Sequence, residues 1–227
     1  MSAKTIRKAL GTLQDDPDHA KAWIELAEAL GFGGVEHGLA AADVGMAADE
    51  LAKLLEAARR AHEVRGEYDA VGRILEMEVS LSHGTGRRAS LETELARVLN
   101  DEVIDDAGAV AAYRRLLELR PGDPKAEEAI EQSEAKKARW TDLVTRYQHE
   151  AKGASDAPFK SSLLMSAAEV AYRYGRPDLK AHAEESTKKA KKLATLTEEI
   201  VSGLKEAIEI DPKNKKAALL LERVYRS

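Results

Sequence analysis

Ala109-Val-Ala-Ala-Tyr113-Arg-Arg-Leu116-Leu117-Glu-Leu119-Arg-Pro121 is the stretch that decides the fold. Ala109, Tyr113 and Leu116 are four and three residues apart, which puts them on one face of a helix. Pro121 stops that helix, because it has no amide proton to donate. A complementary fragment, Trp23-Ile-Glu-Leu26-Ala27-Glu-Ala-Leu30, opens six residues after Pro17. The two fragments fit the A-x3-[FY]-x2-[AL]-x4-P and W-x2-L-[GA]-x2-[YL] halves of a repeated helix-turn-helix unit. Such a unit cannot bury its apolar face alone. It needs a stacked neighbour, and the stack makes a curved surface suited to binding other molecules.

The remaining chain agrees with a helical repeat. Ala, Leu, Glu, Lys and Arg dominate with helical spacing, and alternating β-branched runs do not occur. A first helix is expected over 3–13, with Ile6, Ala9, Leu10 and Leu13 on one face, and a second over 18–30. Five of the 15 glycines fall between 31 and 45, so 31–48 reads as an insertion, in which Phe32, Val35 and Leu39 could dock back on the first helices. Helix pairs then follow at 49–65 with 68–81, 88–101 with 107–119, and 124–137 with 139–151. On 139–151, Trp140, Leu143, Val144 and Tyr147 share a face. A helix over 160–174 should end at Gly175-Arg-Pro177. Residues 178–210 form either one extended helix or two with a break near Ala194-Thr195. Turn markers at Gly66, Asp105, Arg139 and Gly175 lie 39, 34 and 36 residues apart.

At this spacing the chain resembles the tetratricopeptide-repeat family, whose period is about 34 residues. The likeness spans 1–227 as a single solenoid, apart from 31–48 and roughly 183–199. It is strongest at Ala109–Pro121, good at Trp23–Leu30 and fair from Ile200 to Tyr225. Arg59 and Glu131 stand where the family has a small residue after the leucine of the first helix. The resemblance implies an all-α fold, a right-handed superhelix of about five antiparallel helix pairs, irregular with insertions. It implies a concave groove lined by first helices and used for peptides or protein segments. It also implies that the last helix, with Leu219, Leu220, Leu221, Val224 and Tyr225, meets a further repeat or another subunit.

Composition narrows the function. The 227 residues carry a net charge of −5, so no global basic field points to nucleic acid. The absence of cysteine removes disulfides and thiolate chemistry. No run approaches the roughly 18 apolar residues of a membrane span, and the start of the chain lacks an apolar signal core. A soluble, cytoplasmic protein is expected. His83-Gly84-Thr85-Gly86-Arg87-Arg88-Ala89 echoes a phosphate-binding loop, but the strand such a loop requires does not precede it. His62-Glu63 and His149-Glu150 begin like a zinc motif, yet Gly66 and Gly153 stand where its second histidine would be. The six histidines are scattered and read as solvated surface residues. Carboxylates two apart, such as Glu76 and Glu78, do not face each other on a helix. Lys188, Lys189, Lys191 and Lys192 read as a solvated helix face. No catalytic, cofactor or metal site is therefore expected.

Stacking the first helices puts Lys53, Glu56, Arg60, Lys125, Glu128, Gln132, Met165, Glu169 and Tyr172 in the groove as partner-binding candidates. The function expected is a non-catalytic protein-interaction scaffold that takes a peptide or helical segment. The alternative is a structural or self-assembling segment of a longer array, with self-association through the C-terminal helix.

Overall fold

The computed structural model describes residues 3–30, 47–181 and 186–226. Among these residues the regular structure is all helical, with no strand, which is the all-α class expected. It divides into two compact units, Met1–Ile130 and Glu131–Ser227.

The first unit holds α1 (Ala3–Asp15), α2 (Ala20–Ala29), α3 (Ala48–Arg65), α4 (Tyr68–Leu81), α5 (Thr85–Val98) and α6 (Asp106–Leu119). The unit boundary falls inside α7 (Pro124–Ala138). The packed pairs are α1 with α2, α3 with α4, and α5 with α6, while α4 also packs on α5. Local chemistry sets the turns. Gly66 closes α3 at φ 73°, in the left-handed region that suits glycine. Asp105 caps α6 by accepting from the Gly108 amide at 3.0 Å. His19 caps α2, its Nδ1 accepting from the Ala22 amide at 3.1 Å.

The six-residue interval from Pro17 to Trp23 has a direct physical cause. The indole Nε1–H donates to the Pro17 carbonyl at 2.7 Å. The ring then sits in a core with Ile6, Leu10, Leu13, Leu26, Leu55 and Ile74. A second core joins Leu75, Leu95 and Leu99 to Ala109 and Ala112, and a third joins Ala89, Leu116 and Ala126. Tyr113 is half-buried and packs against both of these. The apolar positions of α3 that face inward, Leu51, Leu54, Leu55 and Ala58, are spaced at three and four residues, so the helix follows the stripe the sequence displays.

The second unit is built around α9 (Ala157–Val170), which packs against α8 (Trp140–Gly153) and α11 (Thr187–Ile210); α12 (Lys215–Arg226) packs on α11. The Ser161 hydroxyl donates to the Ala207 carbonyl at 2.8 Å and accepts from Asn214 Nδ2 at 2.9 Å. That chain of bonds fixes α9 to the α11–α12 turn. On α12, Ala217, Leu220 and Val224 are buried, whereas Leu219 and Tyr225 are 62% and 63% exposed.

Several expectations need correction. α8 pairs with α9, and the hairpin expected of 124–137 with 139–151 is not a packed pair. Gly175-Arg-Pro177 does not end the helix. A π-helical turn, Ala171–Gly175, carries it into α10 (Arg176–Lys180). The break proposed at Ala194-Thr195 does not occur, since α11 runs through it from Thr187. The helix expected over 88–101 is present, with α5 passing into a π-helical turn at Leu99–Val103. The expected insertion, with Phe32, Val35 and Leu39, lies outside the described residues apart from 47 and 48, and Ala48 already belongs to α3.

Gly175 shows what the π turn is for. A methyl group added there would lie 2.7 Å from the Trp140 ring and 3.0 Å from Leu196. The glycine lets the indole of α8 lie directly against the turn. Gly175→Ala should therefore destabilise the fold by about 1–3 kcal/mol through overpacking. Urea unfolding followed by Trp140 fluorescence in a Trp23→Phe background checks this, and an unchanged midpoint would contradict the packing described.

Candidate functional site: a cleft beside a buried ion-pair network

The interior of the first unit contains charges that an aliphatic repeat core does not require. Arg59 lies on the buried stripe of α3 between Leu55 and His62. Its Nε donates to Glu78 Oε2 of α4 at 2.7 Å, and its Nη1 donates to Glu94 Oε1 of α5 at 2.8 Å. One guanidinium thus ties three helices. A second pair follows along α5, where fully buried Glu92 accepts from Arg115 Nε at 2.7 Å and from its Nη2 at 2.9 Å. The planar fork of arginine matches both carboxylate oxygens, which a lysine could not do.

His62 is a correction to the expectation of solvated histidines, because it is fully buried. Its Nδ1 lies 2.7 Å from Glu67 Oε2 and 3.0 Å from Arg65 Nη2. The hydrogen bond from Arg65 holds the Glu67 carboxyl below the usual carboxylate range. These three residues clamp the α3–α4 turn.

The Arg59–Glu78 pair borders a cleft of about 260 Å³. Leu51 and Leu55 of α3 and Leu81 of α4 form apolar walls. Glu78 in the last turn of α4 and Ser82, the residue that follows the helix, line the cleft, as does Arg87 of α5. Glu78 is 4% exposed, yet its Oε1 has no hydrogen-bond partner. Arg87 Nη2 forms a longer ion pair with this oxygen at 3.8 Å. Ser82 Oγ is also buried and without a partner. Burial pushes the Glu78 carboxyl up, against the opposing pull of the Arg59 guanidinium. A buried acceptor without a hydrogen-bond partner is costly.

The glycine motif 83–89 is part of this cleft and not a phosphate loop. Thr85 and Gly86 already belong to α5, and His83, Gly84 and Arg87 line the cavity. Among the described residues no group of three or more His, Asp or Glu is placed to hold a metal ion. No described helix is long and apolar enough to cross a membrane.

No family model matches the chain, and no curated protein matches it. A crystal structure of a TPR repeats protein from Bacteroides fragilis NCTC 9343 is similar, with 10% identity, a TM-score of 0.35, and coverage of 98% of this chain and 97% of that one.

The nine groove candidates fall in separate places. On α3, Lys53 and Arg60 are exposed, and Arg60 pairs with half-buried Glu56 one turn away. On α7, Lys125 and Glu128 belong to the first unit and Gln132 to the second, all three exposed. On the α9 side, Met165, Glu169 and Tyr172 are half-buried. There Glu169 accepts from Arg173 at 2.8 Å, and the Arg176 guanidinium sits 5.5 Å from the centre of the Tyr172 ring. Arg59, Glu78, Ser82 and Arg87 were not among the candidates. The available signal was Arg59 itself. A cation on a buried stripe, where a small residue is usual, demands a buried acid on the next helix.

Proposed function

We propose that the chain is a non-catalytic protein-interaction scaffold that holds a peptide or helical segment of a partner on its first helices. The observation that carries this is the division of α3. Its Leu51, Leu55, Ala58, Arg59 and His62 side is buried, while Lys53 and Arg60 stand in solvent on the same helix. A helix fixed along one side presents charged groups on the other at low entropic cost, which favours recognition of an extended or helical segment. Lys125 and Glu128 in the first unit, and Gln132, Met165, Glu169 and Tyr172 in the second, are proposed as further contacts, each within its own unit. The single solenoid over 1–227 and a cytoplasmic setting belong to the same proposal.

A displayed library of random peptides selected against the full chain tests it. Enriched peptides should lose about tenfold or more in affinity for a Lys53→Glu, Arg60→Glu variant, as expected when central charged contacts become repulsive. Peptides indifferent to both substitutions would overturn the role of α3. The second proposal is self-association through α12, favoured by exposed Leu219 and Tyr225. Light scattering of the same samples decides it: a mass that rises with concentration supports it, and a constant monomer mass removes it.

A further inference from the structure

We propose that the lysine face at the start of α11 binds the acidic α1–α2 turn of a second copy of this chain, so that copies join second unit to first unit through opposite charges. Lys188, Lys191 and Lys192 are exposed and lie three and four residues apart, which puts them on one side of the helix. Among the described residues none of the three makes an ion pair. Other exposed cations on the helices do pair with an acid one turn away: Lys21 with Glu25, Arg60 with Glu56, Arg146 with Glu150 and Arg226 with Glu222. Like charges at this spacing repel. Lys188 also stands in a first turn that holds no acid, where the helix dipole disfavours a cation. The start of α11 thus carries a local electrostatic cost that an anionic partner relieves, and such conflicts mark functional surfaces.

The complement is carried by the same chain. Met1–Ile130 holds 16 Lys and Arg against 25 Asp and Glu, a net of −9, and Glu131–Ser227 holds 19 against 15, a net of +4. At the end of α1 and in the turn to α2, Asp15, Asp16 and Asp18 are exposed, and among the described residues they make no ion pair. Asp16 accepts from the Asp18 amide at 3.2 Å, and Asp15 acts on Arg65 at longer range. Each copy therefore offers one basic and one acidic triad. A contact between unlike patches repeats from copy to copy, closing into a ring or extending as a chain. The net charge of −5 opposes approach, but salt screens it beyond about 8 Å at physiological ionic strength, so the local charges decide the contact. A lipid surface fits the lysine face less well. Leu193 is half-buried and Leu196 buried, so the leucines beside the lysines are not free to enter a bilayer. No aromatic residue stands among them to stack on the bases of a nucleic acid.

The test is sedimentation of the full chain at rising concentration, in low and high salt, with two charge-reversed variants and their mixture. The wild-type mass should rise with a Kd on the order of 0.1–1 mM, since the contact is small and exposed to solvent. Raising the salt from about 20 mM to about 500 mM should weaken the association about tenfold or more. A Lys188→Glu, Lys191→Glu, Lys192→Glu variant and a separate Asp15→Lys, Asp18→Lys variant should each stay monomeric, because every contact then meets its own sign. An equal mixture of the two should associate again, since both contacts between unlike variants are attractive. The substituted side chains make no hydrogen bond among the described residues, Asp16 is kept, and glutamate in the first turn favours α11, so both variants keep the fold. A wild type that stays monomeric in low salt, an association indifferent to salt, or a mixture that stays monomeric would overturn the proposal. A fluorescent polyglutamate peptide and vesicles of phosphatidylserine and phosphatidylcholine are run beside it. Binding of either by a monomeric chain, lost in the lysine variant, would also overturn it and assign the face to that anion. Association through α12 is apolar and persists in high salt, and Lys53 and Arg60 are untouched, so failure here is distinct from failure of either functional reading.

Discussion

Methionine at position 59 should lower the stability of the chain by about 3–5 kcal/mol at neutral pH, the usual effect of removing one partner from a buried ion pair. Glu78 is the reason. It is 4% exposed, and without Arg59 its nearest cation is Arg87 at 3.8 Å. Glu94, the other partner, is partly exposed and can turn to water. The sign of the pH dependence follows from the direction in which burial already moves Glu78. Its folded pKa is raised, and loss of the guanidinium raises it further. A carboxyl whose folded pKa is raised costs stability as pH rises through the interval between its unfolded and folded values. The deficit of Arg59→Met should therefore be largest at neutral pH and shrink as pH falls toward the ordinary carboxylate range. Arg59→Met combined with Glu78→Leu should recover most of the loss, because an apolar pair of similar volume carries no desolvation cost. Urea unfolding of the three proteins at pH 7 and pH 5 checks all of this. A single variant within about 0.5 kcal/mol of the wild type, the ordinary range for surface substitutions, would refute the buried-pair account.

The helical repeat was legible because its signals are local. Pro17, Pro121 and Gly66 act within their own turns, and the apolar stripes of α1, α3 and α6 show in three- and four-residue spacing. Breaks were less legible. Gly175-Arg-Pro177 contains two residues that usually stop helices, yet the stop is overridden by the Trp140 ring, which needs a glycine beneath it. Proline at the start of a helical segment is also tolerated, since the amide it lacks would have no partner there. The pairing of α8 with α9 was hidden because Leu143, Val144 and Tyr147 mark a half-buried face without saying which helix covers it. The cleft was hidden for a related reason. Glu78 was judged from its spacing to Glu76, a pair on one helix, whereas its partner Arg59 lies 19 residues away on another. Tertiary ion pairs leave no periodic trace.

Alanine at position 23 should destabilise the chain by about 3–5 kcal/mol, the usual range for truncating a buried tryptophan. The ring is 7% exposed and shares its core with Ile6, Leu10 and Leu26. Two further interactions set it apart from a simple apolar side chain. Its Nε1–H holds the Pro17 carbonyl at 2.7 Å, and the Arg73 guanidinium lies 5.2 Å from the ring centre. The first fixes the α1–α2 turn, and the second links α2 to α4. Trp23→Phe separates these effects. It keeps most of the apolar area and the aromatic face but gives up the hydrogen bond, so it should cost about 1 kcal/mol from that bond, plus a smaller loss of packing. Unfolding followed by circular dichroism is suitable, since the alanine variant leaves Trp140 as its only indole. Hydrogen exchange locates the damage. Faster exchange should appear first in α1 and α2, whose contact the ring bridges, and α8 and α9 should keep their protection. An alanine variant with an unchanged unfolding midpoint would mean that Trp23 is not a packing residue. A phenylalanine variant as damaged as alanine would place the main contribution in the bond to Pro17 and make the six-residue interval a hydrogen-bonded device before it is a hydrophobic one.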